Sequence, residues 1–427
     1  MKKLYSAALL TLLFCYGAHA ATIGGVEGVW RGKLNLGSAS LHIVFHLSRM
    51  QDGGYAATMD SPDQGASDIG CDSVRLHNDS LFIHIAAIHG SYTGRLANDS
   101  EIDGNWMQNG YMLPLKLLKS KGEEPAPAEL NTDSNCNETA ITLHTPTGDI
   151  FGTLCTPKGF TKGPVALIIA GSGPTDRNCN GPLLKTDAYK ILAHELSDSG
   201  IASVRYDKRG IAQSNKAMPD EAALRFGDLI DDAEGWIRLL KADSRFTQVA
   251  IIGHSEGSLI GMVAARSAGA GEFISIAGAG ETIDKILKRQ LQNLPVGKRD
   301  TAYSIIDSLA AGHTVSNVPP AFYPLARKSV QPYLISWMKY NPAVEIHNLA
   351  MPVLIIQGTN DLQVTVQDAK ELSEADKNAK LVLLDKMNHI FRDVDGGKQA
   401  NLATFNNPLL PIDNKLVSNI CDFINKK

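Results

Sequence analysis

Cysteine is scarce in this chain, with six in 427 residues, and none is spaced as a CxxC pair or set with histidine at zinc-ligand spacing. An excess of one charge is equally lacking: 41 Lys+Arg against 45 Asp+Glu leave a net charge of −4. So even a balance offers no basic stripe for nucleic acid and no polybasic patch for a lipid surface. Internal repeats and low-complexity tracts are absent. Beyond the first twenty residues no apolar run approaches the ~20 residues needed to cross a bilayer. With 44% hydrophobic residues and 38 glycines, wholesale disorder and a collagen-like chain are both excluded. The length calls for two or three domains at roughly 100–200 residues each. The expected partner is a small molecule or a locally recognised group, with no role for nucleic acid.

What is present begins with residues 1–20. Lys2 and Lys3 form a positive head, Leu4 to Tyr16 is mostly apolar, and Ala18-His19-Ala20 puts small residues where a signal peptidase reads. The pattern predicts a cleavable export signal and a periplasmic or extracellular protein. The apolar core is too short for a membrane anchor, and bulky Phe14 before Cys15 argues against a lipoprotein. Five cysteines would then remain, Cys71, Cys136, Cys155, Cys179 and Cys421, an odd number that leaves at least one thiol unpaired within the chain. Cys136 and Cys155 flank a hairpin-like stretch and could bridge in an oxidising compartment.

Residues 21–120 read as a β-rich domain. Leu41, Ile43, Phe45 and Leu47 alternate with Ser40, His42, Val44 and His46; Leu81, Ile83 and Ile85, and Leu113, Leu115 and Leu117, repeat the period of two that a half-buried strand requires. Asp52-Gly53-Gly54 and Asp103-Gly104 suit tight turns between such runs. Residues 121–138, with Pro125, Pro127 and small polar residues, carry no periodicity and read as a linker. From 139 to 427 the pattern changes to apolar runs alternating with helical spacing: Val165–Ala170, Ile201–Tyr206, Val249–Gly253, Phe273–Ile276, Val353–Ile356 and Leu381–Leu384. Tyr189, Leu192, Ala193 and Leu196 show one helix between such runs, and Ala223–Leu240 another. This alternation predicts a mostly parallel sheet with helices on both faces. Amphipathic, helical sequence at about 281–345 interrupts it as a cap inserted between two strands.

Gly253-His254-Ser255-Glu256-Gly257 lies between a predicted strand and a predicted helix, the setting a G-x-S-x-G elbow needs. There the serine occupies a tight turn and the helix start presents unpaired N–H groups beside the hydroxyl. A serine hydroxyl is a weak nucleophile unless a base takes its proton and an acid holds that base in one tautomer. Asp361 follows the strand from Val353, and His389 follows the next one, so both would project from the sheet edge that carries Ser255. Gly171-Ser172-Gly173-Pro174 ends an earlier strand at that edge. Backbone N–H groups of Glu256 and of Ser172 or Gly173 would form an oxyanion hole.

With these strings in place, residues 139–427 resemble the α/β-hydrolase superfamily, and within it bacterial secreted esterases related to serine aminopeptidase-like (S33-type) hydrolases. The supporting strings are Ile168–Asp176, Arg205–Gly210, Gly253–Gly257, Gly358–Asp361 and Met387–His389. The resemblance implies Ser255 as nucleophile, Asp361 as orienting acid and His389 as base, acting on a small acyl ester without metal or organic cofactor. Ala212 departs from the pattern, since relatives commonly carry a second glycine there. The N-terminal β-domain, including Asp60–Gly65, is similar to accessory domains that precede such hydrolases in some secreted bacterial proteins.

Each assignment has a plainer competitor. Asp385, four residues before His389, is the rival acid. His194, His254, His313 and His347 are rival bases, with His254 fixed beside the serine and the last two in or near the cap. Glu256 either lines the pocket or is a buried structural group, and Arg209 would brace its loop through Asp207. His42, His46 and His84 suit a solvated strand face better than a metal site. At the level of function, a peptidase using the same three residues and a non-catalytic binding protein on a hydrolase scaffold stand beside the esterase.

Overall fold

The computed structural model describes residues 25–426 apart from 36–39, 51–52, 62–65, 89, 109–110, 121–135 and 182–183. The expected export signal, and the linker up to residue 135, therefore lie outside the described residues. Described residues up to Ser120 fall mostly in one compact unit and those from Cys136 onward in a second.

The first unit is one antiparallel sheet. Its strands are β1 (Gly28–Asn35), β2 (Ser40–Arg49), β3 (Tyr55–Ser61), β4 (Ala66–Gly70), β5 (Ser73–His77), β6 (Ser80–Ile85), β7 (Gly90–Asn98), β8 (Glu101–Gln108), β9 (Tyr111–Pro114) and β10 (Leu117–Lys119). β10 pairs with both β1 and β8, so the strand path returns on itself. Period-two burial holds: Leu81, Ile83 and Ile85 are enclosed with Trp30, Phe45, Tyr92 and Trp106. One turn expectation fails. Asp103 and Gly104 lie inside β8, and the chain reverses between Asn98 and Glu101 instead. Gly104 faces Gly94 across the pair, and a Cβ on either would come within 2.4 Å of the Tyr92 hydroxyl. That glycine serves packing of a buried aromatic, not chain reversal.

The second unit holds an eight-stranded sheet in the order β11 (Cys136–Thr145), β12 (Gly148–Pro157), β16 (Ala202–Tyr206), β13 (Gly163–Ile169), β17 (Phe246–His254), β18 (Glu272–Ile276), β19 (Val353–Gly358) and β20 (Lys380–Leu384), with β14 (Asn180–Gly181) and β15 (Leu184–Lys185) paired apart from it. β11 and β12 form an antiparallel hairpin at one edge. Cys136 to Glu138, given to the linker by composition, open that hairpin, and a disulfide joins Cys136 to Cys155 across it. Cys71, Cys179 and Cys421 are free. β13, β16, β17, β18, β19 and β20 run parallel. The apolar runs of the inner strands are continuous because both faces are covered, whereas β20, at the edge, is partly exposed. Val165, Leu167 and Ile169 join a core with α2 (Phe226–Ala242) and α3 (Glu256–Ala268). Ala166 and Ile168 join a second core with α1 (Ala188–Asp198) and α11 (Asn414–Ile424). Five helices lie between β18 and β19: α4 (Ile283–Leu291), α5 (Val296–Ala310), α6 (Tyr323–Ala326), α7 (Gln331–Trp337) and α8 (Pro342–His347), while α9 (Val366–Ala375) and α10 (Lys398–Ala403) come after β19. The five bury an apolar cluster of their own around Ile305, Leu309, Phe322 and Leu334. Among the described residues no helix is long and apolar enough to cross a membrane.

Register positions the site. Ile169 pairs with Gly253, His254 with Ile276, and Ile276 with Ile356, so the strand ends stay level across the sheet. After β13 the chain steps to β16 on one side and then returns past β13 to β17 on the other. This reversal opens a crevice at the carboxyl ends of β13 and β17, where open α/β sheets bind ligands.

β18 also buries an acid. Glu272 is 9% exposed and its Oε2 makes no hydrogen bond. Burial pushes its pKa up to about 7. The folded state therefore binds the proton more tightly than the unfolded chain, so stability should fall as pH rises from about 4.5 through about 7. Glu272→Gln is expected to raise the melting temperature at pH 8 and to match the parent near pH 4; equal melting curves at pH 8 would contradict the assignment.

Candidate active site

The turn after β17 is under strain. Ser255 has φ 53° and ψ −120°, in the left-handed half of the map that a side chain rarely occupies, and caps α3. Its N–H donates to the Ile276 carbonyl at 2.9 Å, and its carbonyl accepts from the Ser258 N–H at 2.9 Å. The flanking glycines are there for close approach. A Cβ on Gly253 would sit 2.4 Å from the Gly257 oxygen, and one on Gly257 would sit 2.2 Å from the Ile169 oxygen. The helix thus starts in backbone contact with the end of β13, which brings the Gly171 loop beside Ser255.

Asp361, in the loop after β19, accepts from His389 Nδ1 at 2.7 Å and from Gln357 Nε2 at 3.2 Å through Oδ2. Its Oδ1 accepts the N–H groups of Gln363 and Val364 at 2.7 and 3.0 Å. Burial alone would raise the acid, but the His389 ring and these donors outweigh it, and the carboxyl lies below its usual range. With Nδ1 committed to a carboxylate, His389 carries its proton there and leaves Nε2 as the acceptor. Asp385 instead accepts from the Thr359 hydroxyl at 3.2 Å.

His254 does not compete for the role of base. Its Nδ1 accepts from the Tyr189 hydroxyl at 2.7 Å, and its Nε2 donates to the His389 carbonyl at 2.9 Å. Burial, with the neighbouring His389 adding to it, drops its pKa to about 3, so it is a neutral strut. Tyr189, whose own hydroxyl burial keeps protonated, also accepts from the Gly171 N–H at 3.1 Å. Helical spacing marked Tyr189 only as a core residue; its hydroxyl in fact ties the loop after β13 to the segment carrying His389.

The remaining candidates sort by contact. His194 bonds Glu138 at 2.7 Å, and His347 bonds the Ala375 carbonyl at 3.0 Å. Among the described residues neither these nor His313 lines a cavity at Ser255. Arg209 does not brace Asp207. It grips the buried Asp232 of α2 through two nitrogens, at 2.7 and 2.5 Å, while Asp207 is taken by Arg177 at 2.5 Å. Ala212 sits at φ 43°, the left-handed conformation that explains why glycine would suit this position. Glu256 is buried and paired with Lys208 and the Tyr333 hydroxyl of α7, which makes its side chain structural, not a pocket lining alone. Lys208 and Tyr333 were not singled out by sequence; Lys208 stood within the Arg205–Gly210 string at the same sheet edge.

Two cavities meet at Ser255. One of about 310 Å³ is bounded by Gly173, Leu184, Tyr189, His389, Ile390 and Phe405. The other, of about 130 Å³, lies against Glu256, Leu259, Ile283, Ile286, Leu287 and Trp337. Ser172, Ser255 and Gln363 border both.

The sheet order, the strained serine turn and the loops that gather beside it are those of an α/β-hydrolase fold. Residues 179–294 match the family described as serine aminopeptidase, S33. Esterase EstD of Thermotoga maritima is 27% identical over 254 residues, which are 57% of this chain and 58% of that protein. The chain thus spans less than two thirds of that relative's length. Among solved structures, Est1E from Butyrivibrio proteoclasticus aligns at 17% identity with a TM-score of 0.43, over 66% of this chain and 96% of its own. The esterase Pf2001 of Pyrococcus furiosus aligns at 14% identity and a TM-score of 0.46, over 70% and 95%.

The contact at Gly257 has a measurable cost. Gly257→Ala should destabilise the chain by about 1–3 kcal/mol or more in urea unfolding, because backbone must yield. Gly227→Ala, whose Cβ would meet nothing within 4 Å, should leave stability unchanged or raise it. Equal midpoints for the two variants would show that the elbow is not tightly packed.

Proposed function

We propose that this chain is a serine hydrolase that cleaves carboxylic esters of small molecules through an acyl-enzyme. The observation that carries it is His389, bonded to Asp361 at 2.7 Å, lining one cavity together with a serine held at φ 53°. Ser255 attacks the ester carbonyl as His389 Nε2 takes its proton. Asp361 holds Nδ1–H and stabilises the imidazolium that forms. The tetrahedral oxyanion is met by the N–H of Glu256 and that of Ser172 or Gly173. His389 then returns the proton to the departing alcohol, and water repeats the sequence to free the acid. Because the proton goes to the alcohol oxygen, the alcohol lies on the His389 side, in the larger cavity. The acyl group takes the smaller one beside α4, so short acyl chains are favoured.

The 27% identity to an esterase supports the ester reading. A peptidase with the same three residues is the second reading, favoured by the family description that residues 179–294 match. Export to the periplasm or medium is proposed from the first twenty residues, with the Cys136–Cys155 disulfide in keeping with an oxidising compartment.

A fluorophosphonate probe should label the protein, and Ser255→Ala should abolish labelling. Asp361→Asn is expected to lower kcat on p-nitrophenyl acetate on the order of 10³–10⁴-fold, while Asp385→Asn leaves it essentially unchanged. Folded protein that resists the probe would favour a binding role, and preferential cleavage of aminoacyl or prolyl anilides would favour the peptidase.

A further inference from the structure

One buried cation has no part in the proton transfers above. Lys208 is 6% exposed, in the loop after β16. Its ammonium donates to the Gly171 carbonyl at 2.5 Å and to Glu256 Oε2 at 3.1 Å. Those partners belong to the two segments that supply the oxyanion donors. Glu256 is the residue after the nucleophile, and Gly171 precedes Ser172.

The geometry of one peptide unit follows. A trans peptide is planar, and its C=O and N–H point in opposite directions; no cis bond occurs among the described residues. The Gly171 carbonyl and the Ser172 N–H share one such plane. With the carbonyl held on Lys208, the Ser172 N–H is turned away from the ammonium. The preceding peptide is fixed as well, since the Gly171 N–H donates to the Tyr189 hydroxyl at 3.1 Å. Ser172 borders both cavities at Ser255, whereas Gly173, at φ 89°, borders only the larger one. The loop is thus clamped at Gly171, one residue ahead of the donor. The same carboxylate that Lys208 grips also accepts the Tyr333 hydroxyl from α7, so the helices between β18 and β19 are tied into the array.

We propose that Lys208 is a positioning residue of the oxyanion hole: it holds the Gly171 carbonyl and the Glu256 carboxylate at once, which selects the Ser172 N–H as the second donor and links the seat of Tyr333 to it. This rests on the acyl-transfer function proposed above. An ammonium suits the task because a single compact charge with three donors reaches a carbonyl and a carboxylate together. Misaiming a donor weakens the transition state more than the ground-state ester, so the loss should appear in kcat and not in KM.

The test is Lys208→Met, with Lys208→Arg as the conservative variant, assayed on p-nitrophenyl acetate and against a phenylboronic acid. The boronate becomes tetrahedral on Ser255 and places an oxygen in the oxyanion position. Lys208→Met should lower kcat on the order of 10²–10³-fold with KM little changed, and should weaken boronate inhibition by a similar factor. Lys208→Arg should recover part of both. Should Lys208→Met fail to fold, the decision passes to Glu256→Gln, which loosens the grip on Lys208 and is expected to lower kcat and boronate affinity roughly tenfold together. Folded Lys208→Met, or Glu256→Gln in its place, that keeps parental kcat or changes KM alone would overturn the proposal. If the parent protein itself neither reacts with fluorophosphonate nor hydrolyses esters, it is the hydrolase function that fails. A labelled, active parent beside an unaffected variant refutes only the role of Lys208.

Discussion

Backbone-to-backbone contact between the start of α3 and the end of β13 is the constraint on which the site depends. Gly257 lies so close to the Ile169 carbonyl that no side-chain atom fits between them. That contact fixes where the helix begins and forces Ser255 into a left-handed conformation. It also brings the Gly171 loop to within van der Waals reach of the serine, where a Cβ on Gly171 would meet Ser255 Cβ at 3.2 Å. The local cost is carried by a sheet whose central strands are buried toward their carboxyl ends. A turn of this kind persists only where its surroundings over-determine it.

Around this turn the polar groups form a continuous hydrogen-bonded path. The Gly171 N–H meets Tyr189, Tyr189 meets His254, and His254 meets the carbonyl of the residue whose ring faces Asp361. Since the His254 ring stays neutral, its two nitrogens hold fixed and opposite hydrogen-bonding roles. The rings of His254 and His389 lie 4.7 Å apart between centroids, and the neighbouring His389 ring adds to the burial that keeps His254 neutral.

How much of this could be read from sequence depends on the scale of the signal. The strands from Val165, Val249 and Val353 were visible because enclosed parallel strands have no polar face to interrupt them. Ser255, Asp361 and His389 were visible because each follows such a strand. Gly104 misled because a glycine after aspartate signals a turn by itself, while its partner Tyr92 is remote in sequence and adjacent only across β7 and β8. Arg209 misled for a similar reason: Asp207 is two residues away along the chain, but its guanidinium reaches Asp232 on α2. Tyr189 and Lys208 left almost no mark, since their roles lie in one hydroxyl and one ammonium, and periodicity reports only which face of an element is buried.

The wall shared by the two cavities has a stereochemical consequence. Ser172, Ser255 and Gln363 border both, and the cavities differ in size, about 310 against 130 Å³. Unequal chambers would give the two ends of a guest different seats, and because the lining is built of L-residues, the two hands of a racemic guest would present different faces to the same walls.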